Sequence, residues 1–152
     1  LKSGDLLMLD TGAVRDGYFC DFDRNYAIGQ ASDDVRRAYA ALHAATDSAM
    51  AQLRPGMKAC ELHQVLVEGF KALGASPGGG RLGHGLGLSL TEWPSLTPKD
   101  ETVLREGMVL TLEPGFAFGG SKMMLHEENI VIRADGAELL SRRAPRELPI
   151  IT

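Results

Sequence analysis

The stretch Leu9–Arg24, LDTGAVRDGYFCDFDR, decides how this chain reads. Two acidic residues, Asp10 and Asp21, lie eleven positions apart in sequence that otherwise favours strands. Upstream, Asp5–Asp10 (DLLMLD) is a short apolar run of the kind a buried strand shows. Downstream, Gly17–Ile28 is rich in aromatic and β-forming residues, and Thr11-Gly12 and Asp16-Gly17 are turn signals. The expectation is a β-hairpin of residues 5–10 and 18–28 with a longish connection, Asp10 ending the first strand and Asp21 lying inside the second.

Beyond the hairpin the periodicity changes. Ser32-Asp33-Asp34 has the form of a helix N-cap followed by acid in the first turn. Val35, Tyr39, Leu42, Thr46, Ala49 and Leu53 then recur at helical spacing until Pro55-Gly56. A second stripe, Leu62, Val65, Leu66, Phe70 and Leu73, is closed by Gly74, and Pro77–Gly80 reads as a flexible loop. Strand character returns at Met108–Leu112 and Met123–Arg133, with an Asp135-Gly136 turn before Glu138–Leu140. This order predicts an α+β fold, a mostly antiparallel sheet covered by helices.

Composition narrows the function. At 44% apolar and 24% charged, the 152 residues suit one globular domain with a substantial core. A net charge of −4 with no basic stripe argues against a nucleic-acid partner. No apolar run approaches a membrane span, and Leu1–Asp5 lacks the order of a signal peptide. Cys20 and Cys60 show no motif spacing and read as reduced thiols of a cytoplasmic protein. The absence of a starting Met suggests a fragment or a processed piece.

Acidic residues within apolar strands carry the chemical signal. Besides Asp10 and Asp21, Glu113 ends Val109–Glu113 before Pro114-Gly115, and Glu127 and Glu128 precede Asn129–Ile132. An ionised carboxylate buried without a partner is costly, so such groups are paired or bind metal. His84 lies in a tight glycine loop, RLGHGLGL. Four carboxylates with one imidazole suit Mn, Co or Fe(II) better than a structural Zn site, although Zn is possible, and can hold two ions about 3.5–4 Å apart. Each residue has an ordinary alternative: Asp10 starting a turn, Asp21 pairing with Arg24, Glu113 in solvent, Glu127 and Glu128 as an exposed acidic pair, His84 as a loop residue. His43 and His63 read as surface residues of the two helices. Gly-His-Gly-Leu-Gly is no phosphate loop, since it neither follows a clear strand nor opens a helix.

The stretches LDTGAVRDGYFCDFDR, GHGLGL, LTLEPG and HEENIVI together resemble the C-terminal catalytic part of the pita-bread metallopeptidase family (M24), which includes methionine aminopeptidase, aminopeptidase P, prolidase and creatinase. The resemblance implies metal ligands at Asp10, Asp21, His84, Glu113 and Glu127. Asp10 would chelate one ion, His84 and Glu113 the other, with Asp21 and Glu127 bridging. It further implies a hydroxide nucleophile between two divalent metals, proton transfer by Glu113, and a homodimer. The activity implied is hydrolysis of C–N bonds of the Xaa-Pro dipeptidase or aminopeptidase type. A further active-site histidine of the family lies upstream of its first aspartate, so the chain reads as a catalytic domain incomplete at its N-terminus.

The chain departs from the family's pattern at several positions. Seven residues after His84, where many family peptidases have a substrate-contacting histidine, stands Thr91. A hydroxyl donates one hydrogen bond but carries no charge near pH 7. Loss of one carbonyl-stabilising donor costs on the order of 10²–10³ in rate. The segment Leu90–Ser95 (LTEWPS) resembles members of the ectoine-hydrolase type, which open a cyclic amidine, and Trp93 is a candidate substrate contact alongside Thr91. The alternatives are therefore a hydrolase of a small cyclic or guanidino compound and a non-catalytic binding protein. The retained ligand set argues against the second. Asp23 replaces the family's common Ser or Thr and shares a strand face with Asp21, and Leu125 stands where aminopeptidase P-like members often carry arginine. A site with more negative charge and one fewer cation should reject acidic groups. An acidic dipeptide is expected to inhibit more weakly than its neutral isostere, and tighter binding of the anionic one would overturn this.

Overall fold

The computed structural model describes residues 1–72, 74, 80–118 and 122–152. The chain opens with a hairpin of β1 (Leu6–Arg15) and β2 (Tyr18–Ile28), followed by α1 (Asp33–Gln52) and α2 (Ala59–Lys71). Then come β3 (Gly83–Gly85), β4 (Glu92–Ser95), β5 (Val109–Leu112), β6 (Gly115–Phe118), β7 (Lys122–Leu125), β8 (Glu128–Arg133), β9 (Gly136–Leu139) and β10 (Ile150–Ile151). A five-stranded sheet in the order β4-β3-β5-β8-β9 is antiparallel throughout. β1-β2-β10 forms a second sheet, with only the short β10–β2 pairing parallel, and β6-β7 a separate ribbon. The α+β, mostly antiparallel expectation holds.

The hairpin is longer than its sequence suggests. Arg15 pairs with Tyr18 across a two-residue turn, and Asp16 and Gly17 both have positive φ, as a type I′ turn requires. Thr11-Gly12 is therefore not a turn, and Asp10 lies within β1 rather than at its end. The cause is packing: a Cβ at Gly12 would stand 2.3 Å from the Cys20 carbonyl oxygen, so glycine here permits close strand approach. The same reason corrects the reading of His84. Gly83 and Gly85 do not make a loop; they flank it in a central strand, where a Cβ would meet the Thr111 or Trp93 carbonyl oxygen at 2.2 or 2.5 Å. The expected strand over Met123–Arg133 divides into β7 and β8, with His126 and Glu127 between them.

Ser32 caps α1, its Oγ accepting from the Val35 amide, and Glu61 accepts from the Lys58 amide at the start of α2. The second helix ends at Lys71; Leu73 and residues 77–79 of the expected loop lie outside the described residues. The helices cross where Gly69 faces Ala45, close enough that a Cβ on Gly69 would lie 2.6 Å from the Ala45 Cα. Leu42, Leu62, Leu66 and Phe70 from the helices form one core with Leu110, Leu112, Ile130 and Ile132 of β5 and β8. Strand alternation then leaves Thr111 and Asn129 on the opposite sheet face.

Two histidines correct the sequence reading. His43 and His63 are buried, at 9% and 8% exposure. His43 packs on Tyr39 and His126 while its Nδ1 meets Asp47 at 3.1 Å, and burial lowers the pKa of His63. No helix among the described residues is long and apolar enough to cross a membrane. Gly69→Ala is expected to cost about 1–3 kcal/mol, because the new methyl meets backbone rather than a movable side chain. Urea unfolding measures it, and an unchanged midpoint would mean that the helices part freely.

Candidate metal centre

Sheet register assembles one side of the site. His84 pairs with Thr111, and Thr111 with Asn129, so these three side chains share the face opposite the helices. Glu113 and Glu127 lie two residues from Thr111 and Asn129, one step beyond the last paired residues of β5 and β8. The hairpin supplies the other side. Asn129 Nδ2 donates to the Asp21 carbonyl and its Oδ1 accepts from the Asp21 amide, which fastens β2 to β8. Arg24 donates to the Glu127 carbonyl at 2.9 Å and to the Glu128 carboxylate at 3.1 Å. Asn25 donates to the Leu125 carbonyl at 2.5 Å.

These contacts bring all five sequence-derived candidates into one region. His84 Nε2 stands 3.9 Å from both Asp21 Oδ2 and Glu113 Oε2. Its Nδ1 lies 2.8 Å from the Gly85 carbonyl, which can only accept, so Nδ1 carries the proton. Burial lowers the His84 pKa, keeping the ring neutral with the Nε2 lone pair turned toward the two carboxylates. At 3.9 Å these oxygens are beyond hydrogen-bond range. A ring fixed by a carbonyl on one nitrogen and offering the other is how proteins present imidazole to metal. Ligand atoms of Asp21, His84 and Glu127 lie within 4.8 Å of one another, and so do those of Asp10, Asp23 and Glu127. Glu127 belongs to both trios. Arg81, 3.7 Å from Glu113, partly balances the charge.

The clustered charges perturb one another. Burial, reinforced by Glu113, Asp21 and Asp23, pushes Glu127 up to about 9, against a hydrogen bond from Thr111. Burial and then Asp10 raise Asp23 to about 7. Burial likewise raises Asp21 and Glu113. Carboxylates held this close share a cation or keep protons. An oxygen-rich set with one imidazole fits a divalent ion.

Some parts of the site have weak sequence signals or none. Glu127 and Glu128 are both buried, not a solvated pair, and Arg24 binds Glu128 rather than Asp21. His126 is fully buried beside Glu128, its Nε2 3.3 Å from the carboxylate; nothing in its spacing marks it. Thr91 is exposed in the β3–β4 connection. Trp93 is 71% exposed, donates to Thr102 Oγ1 and borders a cleft with Tyr18, Phe19, Leu86 and Met108 that includes none of the five candidates.

A model of metallopeptidase family M24 matches residues 1–134. An Xaa-Pro dipeptidase of Pyrococcus furiosus is 36% identical over 97% of this chain, which covers 42% of that protein. The dipeptidase PepE of Mycobacterium ulcerans superposes with a TM-score of 0.91 at 34% identity, over 99% of this chain and 41% of its own. The prolidase of Pyrococcus furiosus gives 0.89 at 34% identity, over 95% and 43%. The chain belongs to metallopeptidase family M24 and has the pita-bread fold of these structures, spanning less than half the length of the relatives it matches.

Glu127 sets a testable pH dependence. Its folded pKa lies above its unfolded value of 4.5, so the folded chain holds a proton that the unfolded chain releases. With divalent ions removed by chelation, stability should be greatest below pH 4.5 as far as this group is concerned and fall as pH rises toward about 9. Asp23 acts in the same direction between 3.8 and about 7. Denaturant unfolding from pH 5 to 9 is expected to show the decline, flattened in Glu127→Gln. An equal slope in the variant would remove Glu127 as its source.

Proposed function

We propose that the chain carries the metal centre of a metal-dependent hydrolase of C–N bonds, of the Xaa-Pro dipeptidase or aminopeptidase kind. One observation carries this reading: a neutral imidazole turns its free Nε2 toward two carboxylates 3.9 Å away, with Glu127 common to two candidate ligand trios. In this reading Asp10, Asp21, His84, Glu113 and Glu127 hold two divalent ions, Mn, Co or Fe, with Zn possible. The names of the relatives support a short-peptide substrate. The family resemblance carries the expectation of a homodimer, and Cys20 and Cys60, read as reduced thiols, that of a cytoplasmic protein.

Bound divalent ions supply Lewis acidity at the scissile carbonyl and lower the pKa of water toward neutrality. The chain's own groups do the rest. Glu113, with its pKa raised and Arg81 beside it, accepts a proton during attack and returns it to the leaving amine. The Gly85 carbonyl keeps the His84 ring in one tautomer, and Thr111 accepts the His84 amide while bonding to Glu127. Thr91 in place of histidine favours a second substrate class, a small cyclic or guanidino compound. A non-catalytic binding role is disfavoured by the complete ligand set.

After loading with Mn(II) or Co(II) and dialysis, the purified chain is expected to retain about two equivalents of metal. Glu127→Gln should lose them, and Asp21→Asn should collapse binding as well. Elemental analysis reads this directly. Hydrolysis of an Xaa-Pro dipeptide against opening of a cyclic amidine then separates the substrate classes. Full activity after exhaustive chelation would overturn the metal-dependent reading.

A further inference from the structure

We propose that Asp23 is a sixth metal-binding residue, and that with Asp10 and Glu127 it forms an all-carboxylate subsite distinct from the imidazole subsite of Asp21, His84 and Glu127. The inference rests on the metal-centre reading above and concerns how that centre divides its two ions.

Three observations carry it. First, Asp23 lies directly across the β1–β2 ladder from Asp10, while Asp21 faces Gly12. Like charges placed opposite each other on a sheet repel, so the pair needs a cation between or beside it. Second, Asp23 is 1% exposed, and neither carboxylate oxygen has a hydrogen-bond partner among the described residues; Glu127 Oε1 is in the same condition. A buried carboxylate with both oxygens bare is among the costliest groups a protein can hold. Third, ligand atoms of Asp10, Asp23 and Glu127 fall within 4.8 Å of one another, a grouping that leaves out His84. The nearby guanidinium is committed elsewhere, since Arg24 points its donors at Glu127, Glu128 and Arg142 and touches only the backbone carbonyl of Asp23.

The chemistry of the two subsites differs. Three carboxylates suit a hard ion such as Mn(II), while a site with imidazole accommodates softer ions such as Zn(II). Asp23, where the family commonly has Ser or Thr, adds one negative charge to the hard subsite. It should therefore tighten ion binding there and weaken the ion's pull on electrons.

The test is calorimetric titration of the purified chain with Mn(II) and with Zn(II), for wild type, Asp23→Asn and Asp23→Thr. The expected result is a loss of at least tenfold in Mn(II) affinity at one of two sites, with the other site within about twofold of wild type. The Co(II) absorption spectrum, which reports ligand geometry, should change at the same equivalent. In the chelated state both variants should melt at or above the wild-type temperature, because a buried charge has gone, yet gain less on adding Mn(II). The two variants guard against a folding defect particular to one of them. If both bind two Mn(II) with wild-type affinity while Glu127→Gln does not, Asp23 is no ligand and the metal centre stands without it. Variants that melt below wild type and gain as much on adding Mn(II) would make Asp23 a structural carboxylate, which also overturns the proposal. If the wild-type chain retains no metal, the metal-centre reading falls and this one with it.

Discussion

Mutual repulsion among gathered carboxylates is the constraint on which the structure turns. Asp21, Glu113 and Glu127 gather beside one neutral imidazole, Asp10 and Asp23 gather on Glu127, and Arg81 is the cation paired with a member of this group among the described residues. Left to themselves these groups would move apart or unfold into water. Two sheets fastened by neutral hydrogen bonds and one buried ion pair hold them together instead. Asn129 grips the Asp21 backbone, and Arg24 grips the backbone beside Glu127 while its charge is matched by Glu128. Because Arg24 is paired with Glu128, it offsets the cluster only weakly, as the smallest of the influences on Asp23.

Glu128 shows how such support is built. It accepts from the Ala144 amide at 2.8 Å, from Arg24, and lies 3.3 Å from His126. These contacts hold its carboxyl below the usual range even though burial pushes the other way. Its neighbour Glu127, equally buried, is driven upward by that burial and further by the acids around it, with no cation among the described residues to offset them. Adjacent residues of one type thus take opposite electrostatic roles, one paired and anchoring the frame, the other unpaired with any described cation and set among acids.

The candidate ligands were legible because they break the apolar run of a strand. Asp10, Asp21, Glu113 and Glu127 each do so, and His84 is marked by its glycines. The meaning of those glycines was not legible. Gly12, Gly83 and Gly85 punctuate the sequence like turns, yet each lies inside a strand where another backbone comes too close for a Cβ. The burial of His43, His63 and His126 was hidden for a related reason: a polar residue on a helix or between strands looks solvated until the element packed over it is known.

By itself the sequence showed the two helices, the strand-forming stretches and the order of the candidate ligand residues along the chain, because these depend on periodicity and spacing within a few turns or strands. That was enough to establish the family resemblance and the α+β class. Tertiary structure decided which acids meet. Asp23 faces Asp10 through the register of the hairpin, while Arg24 reaches Glu128 across 104 positions of chain and Asn129 reaches Asp21 across 108. Pairings at that separation follow from sheet register and from which face the helices cover, and no local pattern in the chain encodes either.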